Sequence, residues 1–112
     1  MGDFEILELA AEHRLLRAAL PPPSRFFEGH FPGRPVLPAV AQLVLLDELL
    51  RHLHGREARI VELVQYRLLK PVLPGEQVRV HLHPAPPGAV AAFELESGDA
   101  RISEGRIRWM PR

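Results

Sequence analysis

Residues 39–54 read AVAQLVLLDELLRHLH, and the predicted fold is arranged around this stretch. It contains no proline or glycine, begins directly after Pro38 and stops at Gly55, a residue type that commonly follows a helix end. The spacing predicts one helix of about four turns. Its apolar residues cover most of the helix circumference, so we expect other structure to enclose the helix as the centre of the core.

Residues on both sides of the predicted helix favour β-strands. Over residues 77–83, QVRVHLH, apolar and polar side chains alternate, which is typical of a half-buried strand. Strands of the same kind are predicted over residues 59–69, 89–96 and 101–109, and residues 4–9 and 14–20 predict two short strands or a short helix between them. The sequence therefore predicts an α+β fold, a mostly antiparallel sheet wrapped around one helix. We expect a second copy to cover the open face of this sheet.

Composition limits the classes of protein and partner. The 112 residues are 46% hydrophobic and contain no repeat, which favours a single domain over residues 1–112. Fourteen basic residues balance fourteen acidic ones, so we expect no nucleic-acid partner. The longest apolar run is too short for a membrane span. The absence of cysteine and the acidic N-terminal residues predict a cytoplasmic location.

Residues 25–38 read RFFEGHFPGRPVLP, and their three prolines and two glycines predict an ordered loop. Residues 27–38 resemble the signature loop of the 3-hydroxyacyl-[acyl-carrier-protein] dehydratases, which reads G-H-F-P-x-x-P-V-x-P-G-V. Residues 69–76, LKPVLPGE, resemble the downstream strand and turn of that family, and residues 40–43, VAQL, are similar to its compact subgroup associated with aryl-polyene synthesis. The resemblance covers roughly residues 24–83 and implies a hotdog fold that forms a homodimer.

The implied reaction removes water from a 3-hydroxyacyl thioester and requires three groups. A base takes the α-proton, hydrogen-bond donors hold the developing enolate oxygen, and an acid protonates the leaving hydroxide. His30 is the expected base, since a histidine is largely neutral at pH 7. The backbone amides near Gly33, Ala39 and Val40 are expected to hold the thioester oxygen, because a helix start presents free N–H groups and a positive dipole end.

The sequence departs from the family pattern at the third group. The family has an acidic residue fourteen positions after the histidine, contributed by the neighbouring subunit, and this chain has Val44 there. Asp47 and Glu48 share that helix face approximately and are the candidate catalytic acids, although each lies about 5 Å farther along the helix. Alternatively, one of them binds an arginine such as Arg51 or contacts a partner subunit. Ala39 also replaces the glycine of the family loop.

The remaining site expectations concern substrate binding and the other histidines. Besides the catalytic candidates, the predicted substrate-binding residues are Phe31, Gly33, Pro38, Ala39, Val40 and Val44. His81 and His83 have an i, i+2 spacing that can bind a metal, but without an evident third ligand we expect no metal site. His52 and His54 are interpreted as structural cations at the helix C-terminus. No cofactor is expected.

Three functions remain open at this stage. The first is a dehydratase acting on acyl chains carried by acyl-carrier protein or coenzyme A. The second is a half-site subunit of a heterodimer, in which another hotdog chain supplies the acid that Val44 lacks. The third is a hotdog acyl thioesterase, in which Asp47 or Glu48 would activate water.

Overall fold

The computed structural model describes residues 4–21 and 37–112. One helix, α1, spans Ala39–His54, as the sequence predicts. The strands are β1 (Glu5–Ala10), β2 (Leu15–Ala19), β3 (Arg59–Leu68), β4 (Gln77–Leu82), β5 (Val90–Ser97) and β6 (Ala100–Met110). A short 3-10 turn, Ala11–His13, connects β1 and β2, so both early strands form.

The strands form one antiparallel sheet in the order β1-β2-β4-β5-β6-β3. Helix α1 packs against β2, β3 and β4. On β4, Val78, Val80 and Leu82 are at most 1% exposed and face the helix, which confirms the half-buried pattern predicted for this strand. The α+β architecture with one helix on an antiparallel sheet is therefore confirmed.

Strand β3 differs from the half-buried strand that was expected. Only Ile60 and Tyr66 are partly buried, and every other residue of the strand is exposed. Within the described residues β3 pairs with β6 alone, so it lies at the edge of the sheet with few neighbours on either side. Tertiary position therefore overrides the burial that its β-branched sequence suggested.

Helix α1 is also less enclosed than its composition predicted. Its core side is fully apolar except for Gln42, but Val40 is 72% exposed and Val44 is 39% exposed. The helix is therefore covered by the sheet on one side, and an apolar edge on the other side is open in the isolated chain.

Both flanks of residues 22–36 attach to one turn. Leu20 accepts a hydrogen bond from Gly75 N–H and donates its own N–H to Glu76, and Leu37 N–H donates to the Val72 carbonyl at 2.9 Å. The turn is stabilised by Leu73 N–H, which donates to the Glu76 carboxylate at 2.6 Å. The family-like block at residues 69–76 thus supports the chain just before and just after the signature loop. The ordered loop predicted over residues 25–38 lies outside the described residues except for Leu37 and Pro38.

Candidate functional site

The first turn of α1 presents backbone donors that have no acceptor within the helix. Pro38 is the N-cap, with an extended conformation at φ −73° and ψ 162°, and the first intrahelical hydrogen bond runs from Gln42 N–H to the Pro38 carbonyl at 3.2 Å. The N–H groups of Ala39 and Val40 therefore have no acceptor within the helix. The first turn also contains no acidic residue. This helix start is suited to bind a partly negative oxygen.

A groove begins beside these amides and runs along the exposed edge of α1. It encloses about 310 Å³ and is lined by Val40, Leu43, Val44, Asp47 and Ile60. Among the described residues, four of the five lining side chains are aliphatic, so this part of the groove fits an acyl chain better than a polar ligand. Val40, Val44 and Asp47 are spaced at i, i+4 and i+7, which puts them on one side of the helix.

The structure separates the two candidate acids. Asp47 lies in the same groove as Val44, whereas Glu48 lines surface depressions with Arg56 and with Phe4 instead. Asp47 Oδ2 pairs with Arg51 at 3.1 Å, the alternative role considered for it from the sequence, and Glu48 is 3.7 Å from His52. Only Asp47 shares a cavity with the position where the family has its acid.

Some of the other predicted site residues lie within the described residues and some lie outside them. Pro38, Ala39, Val40 and Val44 lie together at the helix start and along the groove. His30, Phe31 and Gly33 lie outside the described residues, so their roles stay predictions.

A buried polar cluster beneath the helix start was not expected from the sequence. Gln42 is 1% exposed, and its side-chain oxygen accepts hydrogen bonds from Ser103 Oγ at 2.7 Å and from Tyr66 OH at 3.0 Å. Its amide nitrogen donates to the Leu37 carbonyl at 3.4 Å. Burial raises the pKa of the Tyr66 hydroxyl. The one available signal was a polar residue at a core position of an otherwise apolar helix.

The strand histidines pair with carboxylates on the neighbouring strand. His83 Nε2 lies 2.8 Å from the Glu94 carboxylate, and His81 Nε2 lies 3.5 Å from Glu96. Over residues 4–21 and 37–112, no group of three or more His, Cys, Asp or Glu side chains could hold a metal ion.

His54 is not the helix-terminal cation that the sequence suggested. Its ring stacks on Trp109, with ring centroids 4.0 Å apart and an interplanar angle of 21°, and its Nε2 is buried without a hydrogen-bond partner. Burial, and secondarily the Arg14 charge, lower the pKa of His54.

Comparison with known proteins adds relatives of defined activity. The chain is 35% identical over 66 residues to the 3-hydroxyacyl-[acyl-carrier-protein] dehydratase FabZ of Rhodospirillum rubrum, covering 51% of this chain and 41% of the relative. It is 34% identical over 85 residues to FabZ of Syntrophobacter fumaroxidans, covering 69% of this chain and 58% of the relative. The alignments thus span about half the length of these curated relatives.

Solved structures share the fold. An uncharacterized protein from Erwinia carotovora superposes with a TM-score of 0.71 at 27% identity, covering 87% of this chain and 82% of that one. The dehydratase heterocomplex ApeI:P from Xenorhabdus doucetiae gives a TM-score of 0.72 at 21% identity, covering 96% and 93%. The fold is therefore the hotdog fold that the signature loop implied. In the part of the chain that the structure describes, no helix is long and apolar enough to cross a membrane.

A family model is more specific than these pairwise matches. The model described as ApeI-like, ApeI dehydratase, matches residues 8–106, which includes α1, the signature loop and all strands from β2 to β5. This match covers most of the chain and agrees with the compact subgroup that residues 40–43 indicated. The chain belongs to the ApeI-like dehydratase family.

Proposed function

We propose that this protein is a 3-hydroxyacyl-thioester dehydratase that converts its substrate to the enoyl thioester. The observation that carries the proposal is the apolar groove that contains Asp47 and lies beside the first turn of α1, where the N–H groups of Ala39 and Val40 have no acceptor within the helix. In this assignment the acyl chain lies along the groove, and the thioester oxygen is held at the helix start. The carrier is acyl-carrier protein or coenzyme A, and no cofactor is required.

The proposed elimination uses side chains for both proton transfers. His30 accepts the α-proton of the acyl chain, and the electron pair of that C–H bond forms the enolate, whose oxygen the amides stabilise. As the enolate collapses, the C–O bond to the 3-hydroxyl breaks and hydroxide leaves with a proton from an acid. Asp47 is the proposed acid in this chain, because it is the carboxyl group that lines the groove with Val44.

A second hotdog chain is part of the proposal. Strand β3 leaves one edge unpaired in the described residues and exposes Val61, Leu63, Val64 and Leu68 by 41–52%. An exposed apolar edge strand of this kind is suited to pair with another strand. We propose that β3 pairs with its counterpart in a homodimer or in a heterodimer with a related chain.

One contact favours the heterodimer as the second candidate. Asp47 is paired with Arg51 at 3.1 Å, so its carboxyl group already has a partner other than the leaving hydroxyl. If Asp47 stays paired, this chain contributes His30 and the amides, and the partner contributes the acid. The heterocomplex named in the Xenorhabdus structure is a precedent for such an assembly in a related protein.

The test is an enoyl-thioester absorbance assay with the purified chain and a 3-hydroxyacyl-[acyl-carrier-protein]. We expect formation of the enoyl band, its loss in His30→Ala, and a fall of at least tenfold in Asp47→Asn with no comparable effect of the matched control Glu48→Gln. Activity that survives in His30→Ala would refute the assigned base. Equal rates in Asp47→Asn and the unmodified chain would refute Asp47 as the acid.

Two further readouts separate the alternatives. If the chain is inactive alone but gains turnover when a related hotdog chain is added, the heterodimer assignment is supported. A thiol-trapping reagent monitors thioester cleavage in parallel. Release of free thiol without the enoyl band would contradict the dehydratase and support the thioesterase.

A further inference from the structure

Gln42 is the most deeply buried polar side chain of helix α1. It is 1% exposed and lies on the core side of the helix with Ala41 and Leu45, yet all of its hydrogen-bonding groups have partners. Ser103 and Tyr66 donate to its oxygen, and its nitrogen donates to Leu37. An apolar residue of similar volume would fill the same space without requiring any of these partners.

These hydrogen bonds join four separate segments at one point. Gln42 belongs to the first turns of α1, Ser103 to the interior strand β6, Tyr66 to the edge strand β3, and Leu37 to the chain that enters the helix. A buried amide that loses a partner incurs a desolvation cost, so the satisfied arrangement strongly favours one geometry. The cluster therefore fixes position more specifically than apolar packing would.

The segment that the cluster holds is the entrance to the helix. Leu37 N–H donates to the Val72 carbonyl at 2.9 Å, and the Leu37 carbonyl accepts from Gln42 on its other side. Leu37 is fully buried and directly precedes Pro38, the N-cap. The amides of Ala39 and Val40 follow within two residues of the N-cap. The orientation of these two amides thus depends on Leu37. Both the backbone N–H and the backbone carbonyl of Leu37 are held by hydrogen bonds.

We infer that Gln42 is a positioning residue for the helix start, acting through Leu37 and held in place by Ser103 and Tyr66. The inference rests on the proposed function, because it holds that the hydrogen bonds at Leu37 serve to orient the amides that bind the thioester oxygen. Gln42 itself is too buried to contact substrate. Its role is to keep the amide donors oriented toward the enolate oxygen as charge develops, where small displacements reduce rate more than binding.

The kinetic test uses Gln42→Met, which keeps an unbranched side chain but removes all three hydrogen bonds. We expect kcat to fall at least tenfold while KM changes less than twofold. The matched control is Leu45→Met, a substitution at a buried position of the same helix without polar contacts, which should leave kcat within twofold. Because Gln42→Met removes the acceptor of the buried Ser103 hydroxyl and of the partly buried Tyr66 hydroxyl, Ser103→Ala provides a milder variant in which kcat falls in the same direction.

A pH profile distinguishes positioning from a purely structural role. In Gln42→Glu, the buried carboxyl group can donate to the Leu37 carbonyl only when it is protonated. The kcat of this variant relative to the unmodified chain should therefore decrease as pH rises. A constant ratio across pH in folded protein, together with an unchanged kcat in Gln42→Met, would overturn the inference.

Amide hydrogen exchange gives a readout that needs no activity. The Leu37 N–H should exchange at least tenfold faster in Gln42→Met, while the Leu82 N–H, bonded to the Arg14 carbonyl in another part of the sheet, serves as the internal reference. If Leu37 exchange accelerates but the unmodified chain is no dehydratase, the proposed function fails and the restraint of the helix entrance is supported. Unchanged Leu37 protection overturns the inference whatever the activity.

Discussion

Gly105 on β6 provides a prediction whose size can be worked out from the structure. It lies opposite Phe93 on β5 and Tyr66 on β3, so it occupies the middle of a row across three strands. A Cβ atom added at Gly105 would lie 2.8 Å and 2.9 Å from two carbons of the Phe93 ring and would also collide with the Gln65 backbone carbonyl. The substitution Gly105→Ala therefore forces the ring or the edge strand to move.

The expected cost follows from these contacts. Carbon atoms pack favourably at about 3.5–4.0 Å, so the ring must retreat by roughly 0.7 Å or more. Phe93 is 1% exposed, so its ring is held by core neighbours, and the Gln65 carbonyl belongs to the β3–β6 pairing. Overpacking of this kind costs about 1–3 kcal/mol, and the backbone collision puts the effect at the upper end. The loss of glycine flexibility in the unfolded chain returns only about 0.4–1 kcal/mol.

We expect Gly105→Ala to lower the free energy of unfolding by about 2 kcal/mol, which for a domain of this size corresponds to roughly 8 °C in Tm. Thermal and urea unfolding followed by circular dichroism measure both quantities. The matched control, Arg106→Ala, changes the next residue on the strand, which is exposed, and should stay within about 0.5 kcal/mol. A Tm for Gly105→Ala equal to or above that of the unmodified chain would refute the reasoning.

Three other perturbations test the partly buried histidine His54, the open helix edge and the edge strand β3. Because the pKa of His54 is lowered in the folded protein, its contribution to stability is complete above the unfolded pKa of about 6.5 and is lost as pH falls toward the folded pKa. His54→Phe should therefore lose less stability than the unmodified chain between pH 7.5 and 5, and parallel urea-midpoint curves for the two proteins would contradict this explanation. Val44→Glu restores an acid at the family position within the apolar groove and should raise enoyl-thioester formation, while Val44→Gln, its uncharged match, should not. A folded Val44→Glu variant without any gain in rate would show that the groove itself has diverged. Val64→Lys, which puts a charge on the exposed edge strand β3, should reduce self-association measured by sedimentation, and an unchanged mass would argue against β3 as the interface.

Much of the fold follows from local patterns in the sequence. Helix α1 has the predicted bounds, because its limits are set by Pro38 and Gly55 and no interior residue interrupts it. The alternation on β4 predicted its buried face correctly, since one face of that strand packs on the helix. The residues of β3 gave the wrong burial, because their exposure depends on a position at the sheet edge that no local pattern encodes.

For the candidate site, too, local sequence predicted some features and tertiary packing set the others. The signature loop predicted the family, the fold and the chemical roles from residues adjacent in sequence, and Val44 revealed the missing acid. Sequence spacing could not choose between Asp47 and Glu48, because each lies within about 60° of Val44 around the helix. The sheet packed against α1 leaves Asp47 in the groove and turns Glu48 toward Phe4 and Arg56.

Local patterns in the sequence predicted the single helix, the strands after it, the family and the residue types available for catalysis. These depend on periodicity, chain breakers and a contiguous motif, all of which are local. Which apolar surfaces of α1 and β3 are exposed depends on the tertiary structure. The contact of Gln42, Tyr66 and Ser103 beneath the helix start depends on it as well. Residues 42 and 103 are 61 positions apart, and their contact arises because the sheet folds against one side of α1. Burial and long-range contact belong to the packed molecule, so they cannot be read from any single segment of the chain.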